Sequence, residues 1–189
     1  MKTKIITTLL TLLALSVTAI NVQAKSWDDY LDWLVQYKRM KEVAPVSDKV
    51  YKDECGACHF PFQPGLLPAA SWEKLMQADA LANHFKENAE LDEDTRKHIL
   101  KLLTDNSADK SYYKRSRKIM WSLDEGMAPL RITEVPYIKD KHEEVAEDID
   151  IKKSKVKSFA NCDKCHQEAA KGVFDDDTVM IPDHGYWTW

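Results

Sequence analysis

Four cysteines occur in this 189-residue chain, and all belong to two copies of one string, "CGACH" at 55–59 and "CDKCH" at 162–166. In C-x-x-C-H, two thiols close together on one turn can add to the two vinyl groups of a haem. The histidine that follows then lies under the iron as its fifth ligand. Three other chemistries use close cysteine pairs. Zinc would accept both pairs but leaves the histidine after each one a coincidence. A redox dithiol wants a βαβ setting, which neither motif has. Structural disulfides suit an exported chain. Two complete motifs with no cysteine to spare favour haem over all three. The expectation is two covalently attached haem c groups, joined at Cys55, Cys58, Cys162 and Cys165, with iron on His59 and His166.

The rest of the composition narrows the setting. Lys2 and Lys4 precede an uncharged, largely apolar run from Ile5 to Ile20, and Val22-Gln23-Ala24 supplies small residues for cleavage. This is the secretory pattern, with residues 1–24 as signal peptide and a mature chain starting near Lys25. Later apolar runs are all interrupted by charge or proline, so no stable membrane span is expected after cleavage. The mature chain keeps 25 basic and 31 acidic residues, a formal net charge of −6. That balance gives no basic footprint for nucleic acid. Five glycines and abundant Glu, Lys and Leu point to a mainly α protein.

The elements that must position the first motif follow from periodicity. Trp27, Tyr30, Leu31, Leu34, Tyr37 and Val43 share helical spacing, with Ser26 as cap and Pro45 as stop. "SDKVYKDECGACH" reads as a helix presenting Cys55, Cys58 and His59 on one face. Pro61, Pro64 and Pro68 force a loop. "SWEKLMQADALANHF" returns to helix, and "LDEDTRKHILKLLTDN" makes another, capped by Asp92 and buried through Ile99, Leu100, Leu102 and Leu103. This order resembles a class I cytochrome c domain over residues 25–108. In such domains the sixth iron ligand comes from the segment before the closing helix and is usually methionine. No methionine lies between Leu81 and Leu103, and Met76 is inside the preceding helix; His84 is the strong ligand in that segment. His98 falls at the edge of the apolar stripe and reads as solvent-facing.

Residues 109–189 read as a loop-rich domain around the second haem. "KSYYKRSRKIMW" interleaves five basic residues with aromatics, suited to an acidic partner, to haem propionates or simply to water. Pro129 and Pro136 break the following stretch, where a short helix includes His142. "KSFANCDKCHQEAAKG" should be the second attachment helix, ending at Gly172. The tail "FDDDTVMIPDHGYWTW" has no regular period. With His59 and His166 committed, the sixth positions draw on His84, His98, His142 and His184, or on Met120, Met127 and Met180. Spacing alone does not choose between His142 and His184 for the second iron.

"ECGACHFPFQPGLLPAASWEKLM", "NHFKENAELD", "APLRITEVPYIKDKHEEV" and "ANCDKCH" together resemble the dihaem cytochrome c (DHC) family of exported bacterial proteins. The likeness runs from about Val50 to Ile181. It implies two histidine ligands on each iron, matching His59, His84, His142 and His166, with His98 and His184 outside the pattern. Irons closed in this way exchange electrons at low potential and offer no open coordination site. The resemblance therefore implies a periplasmic electron carrier rather than an enzyme. Its implied redox partners are a small oxygen-binding monohaem cytochrome and a membrane b-type cytochrome. The competing reading, a peroxidase or nitrogen-oxide reductase, requires one labile axial ligand.

Overall fold

The computed structural model describes residues 42–187. The expected signal peptide and the helix expected over Ser26–Val43 lie outside the described residues, apart from the latter's last two positions. Eight α-helices, five short 3-10 turns and one small hairpin make up the regular structure of the described residues. The helices are α1 (Lys49–Cys55), α2 (Ala69–Leu75), α3 (Ala78–Ala82), α4 (Glu93–Asp105), α5 (Lys114–Ser122), α6 (Pro136–Lys141), α7 (Glu143–Asp148) and α8 (Cys162–Cys165). The strands are β1 (Met180–Ile181) and β2 (Gly185–Tyr186). No described helix is long and apolar enough to cross a membrane.

Local chemistry explains where the helices start. The Asp48 carboxylate accepts from the Tyr51 amide at 2.8 Å and opens α1. Asp92 does the same for α4, accepting from Asp94 and Thr95. Each contact satisfies amides that a helix start leaves without intrahelical partners. Pro136 begins α6, where its missing N–H is harmless. Pro64–Leu66 forms one 3-10 turn within the proline loop. The Trp72 indole N–H donates to the Pro64 carbonyl at 2.9 Å and fastens that loop to α2.

Three expectations are corrected by contacts from distant parts of the chain. The helix expected over 71–85 divides at Met76–Gln77 into α2 and α3. The Met76 carbonyl instead accepts from the Arg96 guanidinium of α4 at 2.8 Å. The second attachment helix does not run to Gly172. It is the single turn α8, because His166 leaves helical geometry (φ −90°, ψ 88°) and pairs in an antiparallel bridge with Val179. Finally, the tail is not wholly irregular. Met180 pairs with Tyr186 and Ile181 with Gly185, around a turn in which Asp183 has positive φ. Two-residue strands are too short to display a period.

Two apolar clusters hold these elements. The larger packs α2 against α4 through Trp72, Leu75, Ile99 and Leu103, and also takes Ile119, Val135 and Phe174. It thus draws on both sides of residue 108. The smaller gathers Val145, Ile149, Ile151, Val156, Val179 and Ile181. Arg115 is buried beside the larger cluster. Its guanidinium pairs with Glu42 and donates to the Tyr137 hydroxyl (3.1 Å) and the Phe174 carbonyl (2.9 Å). Helix α5 therefore turns Arg115, Ser116 and Ile119 inward while Trp121 stands 71% exposed.

Candidate haem sites

The first motif closes α1. Cys55 is its last residue, and Gly56 keeps a helical backbone with its N–H on the Lys52 carbonyl. Cys58 and His59 lie just past the helix end. The Tyr51 hydroxyl, carried on the buried face of α1, donates to the Phe62 carbonyl at 2.6 Å and ties the helix to the loop after the motif. The His59 Nδ1 lies 2.8 Å from the Phe60 carbonyl. A carbonyl only accepts, so Nδ1 carries the proton and the Nε2 lone pair is left for a metal.

His84 faces this ring from the turn after α3. The two imidazole centroids are 6.3 Å apart with planes 19° from parallel. Metal–nitrogen bonds of about 2 Å on each side, plus two ring radii of about 1.2 Å, give about 6.4 Å between centroids of imidazoles sharing one ion. Burial, then His59 and Arg131, hold the His84 pKa below its ordinary value. The ring is neutral at pH 7, as a ligand must be. Phe62 lies 5.1 Å from His59 and Phe85 lies 4.7 Å from His84, so the site has aromatic walls.

The second site is built from different elements to the same separation. His142 and His166 have centroids 6.1 Å apart, with planes crossed at 74°. His142 stands at the junction of α6 and α7. Its Nδ1 donates to the Ile138 carbonyl at 2.7 Å, which a continuing helix would offer to the His142 amide. That amide turns to Lys139 instead. One contact thus breaks the helix, aims the ring and fixes its tautomer. Phe159 at 5.4 Å from His142 and Phe174 at 5.3 Å from His166 line the site, one from each apolar cluster. Burial lowers the His142 pKa and pushes that of His166 down to about 4. The His166 Nδ1 is buried without a hydrogen-bond partner, as expected where a ring's main partner lies outside the polypeptide.

The remaining histidines are elsewhere. The His98 Nε2 meets the Asp48 carboxylate at 2.9 Å on the surface. His184 is exposed in the turn of the tail hairpin. The competing cysteine chemistries also fit poorly. All four thiols are free of disulfides. No group of three or more His, Cys, Asp or Glu among the described residues forms a metal cage. Burial pushes Cys55 up to about 11 and Cys162 up to about 12, opposite to an activated redox thiolate.

The family model for dihaem cytochrome c matches residues 51–174. The chain belongs to the dihaem cytochrome c family. As a family member it carries two covalently bound haem c groups with their irons. It is similar to the diheme cytochrome c from Rhodobacter sphaeroides, at 38% identity and a TM-score of 0.59, over 70% of this chain and 100% of that one. It is also similar to the diheme cytochrome type c from Shewanella baltica OS155, at 34% identity and a TM-score of 0.60, over 74% and 97%. No curated relative matches. The residues of this dihaem cytochrome c fit the two groups, with a cysteine pair, two imidazoles about 6 Å apart and flanking aromatic rings at each site.

Two features of these sites have no motif in the sequence. Phe85 and Lys86 have φ of 53° and 87°, an unusual backbone for non-glycine residues. The Arg131 guanidinium lies 3.7 Å from the centre of the Phe85 ring. The string "APLRITE" marked Arg131 as part of the family likeness but gave it no task.

Proposed function

We propose that this protein is an exported, periplasmic electron carrier in which each iron is closed by two histidines. Cys55 and Cys58 would anchor haem 1, its iron held by His59 and His84. Cys162 and Cys165 would anchor haem 2, its iron held by His166 and His142. On this reading a class I cytochrome c-like part (residues 25–108) surrounds haem 1 and a loop-rich part (109–189) surrounds haem 2. The observation that carries the reading is the facing of two separate histidine pairs at the distance one metal ion requires.

When bound, each haem supplies a one-electron iron couple at low potential, because imidazole replaces the thioether that raises it. The chain's own residues hold the rings. Carbonyls of Phe60 and Ile138 accept from the Nδ1 of His59 and His142 and leave Nε2 for a metal. Phe62 and Phe85 flank the first pair, and Phe159 and Phe174 the second. With both irons held by histidine pairs, peroxide or a nitrogen oxide would find no open position, and electrons would pass to protein partners. By family likeness these are a small oxygen-binding monohaem cytochrome and a membrane b-type cytochrome.

Absorption spectra of the purified holoprotein with and without carbon monoxide test this. Two low-spin haems unresponsive to the gas are expected. His84→Ala should open haem 1 only and His142→Ala haem 2 only. A carbon-monoxide-sensitive haem in the unmutated protein refutes the closed sites. Opening of haem 2 by His184→Ala, with His142→Ala silent, refutes that ligand.

A further inference from the structure

Arg131 leaves the chain at a firmly held point. The next residue, Ile132, and Val135 are both buried in the larger core. The 3-10 turn Ile132–Glu134 is closed by the Glu134 amide donating to the Arg131 carbonyl at 2.9 Å. The Glu134 carboxylate stands 3.6 Å from the Arg131 side chain. From this base the guanidinium reaches the face of Phe85, close enough for flat contact between a planar cation and a ring.

The turn that Phe85 belongs to is bracketed by the Ala89 amide donating to the Leu81 carbonyl at 2.9 Å, a bond that does not orient the Phe85 ring. Phe85 and Lys86 are consecutive left-handed residues, a conformation that persists only when surrounding structure enforces it. Its internal bond is the Glu87 amide on the His84 carbonyl at 3.1 Å. Phe85 is 38% exposed, so burial secures it only in part. Yet its ring meets the His84 imidazole edge-on, and His84 must stay opposite His59.

We propose that Arg131 is a positioning residue for His84: its guanidinium clamps the Phe85 ring, and Phe85 keeps the left-handed turn that aims His84 at His59. This rests on the reading of His84 as the sixth ligand of haem 1. It gives the "LRITE" segment a role at haem 1, although the same segment leads on to His142 and haem 2. The planar stack, rather than charge alone, does the holding. Lysine should therefore replace Arg131 only in part.

The test is the initial rate of carbon monoxide binding to the reduced holoprotein, followed spectroscopically in Arg131→Ala, Arg131→Lys, Phe85→Ala, the Arg131→Ala/Phe85→Ala double variant and His84→Ala. Loss of a cation–π contact should raise the open fraction of haem 1 about tenfold in Arg131→Ala. Haem 2 should stay closed and the lysine variant should fall between. The double variant should be no more open than Phe85→Ala, because both changes remove one coupling. If His84→Ala opens haem 1 while Arg131→Ala responds like the unmutated protein, the positioning role is wrong and the ligand reading stands. A shift in haem 1 potential without opening makes Arg131 a charge only and also overturns it. If His84→Ala leaves haem 1 closed, the ligand reading fails and takes this proposal with it.

Discussion

Gln63 is only 1% exposed, and its amide joins three parts of the chain. Its Oε1 accepts from the Val46 amide at 2.6 Å, ahead of α1. Its Nε2 donates to the Ala169 carbonyl at 3.0 Å and to that of Ala170 at 3.4 Å, just beyond His166. One side chain, four residues past His59, thus ties together the surroundings of both sites. Gln63→Leu roughly keeps the volume but strands the buried Val46 N–H; the Ala169 carbonyl loses one of its two donors and keeps the Gly172 amide at 2.9 Å. The orphaned amide costs about 1–3 kcal/mol and the lost second bond about 0.5–1.5 kcal/mol. Added apolar burial returns about 1 kcal/mol. The expected net loss is about 0.5–3.5 kcal/mol, against the roughly 5–15 kcal/mol typical of a folded domain.

Gln63→Glu separates the two halves of the contact. A carboxylate still accepts from Val46 but sets an oxygen against the carbonyls of Ala169 and Ala170. Protonation turns that oxygen into a donor, so this variant alone should regain stability as pH falls toward about 4. Equilibrium urea unfolding of the oxidised holoprotein, followed by both haem absorbance and far-ultraviolet circular dichroism, measures both effects. A Gln63→Leu loss under about 0.5 kcal/mol would refute the orphaned-amide reasoning. So would a Gln63→Glu profile that parallels the unmutated protein across the acidic range.

Gly172 has φ 74°, and a Cβ there would lie 2.1 Å from the Val43 carbonyl oxygen; Gly126 has φ 77° and open space around it. Gly172→Ala should therefore lose about 2–4 kcal/mol and Gly126→Ala about 1 kcal/mol, and equal melting temperatures would contradict the difference. The ring planes should also be visible in electron paramagnetic resonance of the oxidised protein. Near-parallel rings at 19° separate the iron d orbitals into a rhombic pattern, whereas crossed rings at 74° leave two of them nearly degenerate and give a large, axial g value. One signal of each kind is expected, and two identical signals would refute the distinct geometries.

What the sequence made legible was local. Both C-x-x-C-H strings are self-contained, and α4 announces itself through the Asp92 cap and the inward pair Ile99 and Leu103. What it hid was set by contacts across many residues. The break at Met76 comes from Arg96, twenty positions later. The short α8 depends on the pairing of His166 with Val179. Arg131 meets Phe85 only after the larger core has placed both segments. A helical wheel carries no information about a guanidinium arriving from another element. The His142 junction falls between these cases. Its Nδ1–Ile138 contact is an ordinary i to i−4 spacing, yet without a structure it is indistinguishable from one more turn of helix.

All four facing histidines stand where a helix stops. His59 follows the end of α1, His84 sits in a left-handed turn, His142 marks the α6–α7 junction and His166 is extended after one turn. In an unbroken helix each ring would be bound to the helix's own rotation, and opposing rings would face only if two helices packed in one register. Ending the helix frees the ring from that constraint, and a contact from outside must then replace it. The replacements are the tie from Tyr51 to Phe62, the Arg131–Phe85 stack, the Nδ1 bond of His142 and the Val179 bridge. They differ in kind, and that explains why nearly equal separations of 6.3 Å and 6.1 Å accompany plane angles of 19° and 74°. Separation is what a shared ion demands; the angle is left to whichever contact holds each ring. On the proposed ligation, the two similar histidine pairs make electronically distinct sites, and each site should keep its own potential even with the same ligand set.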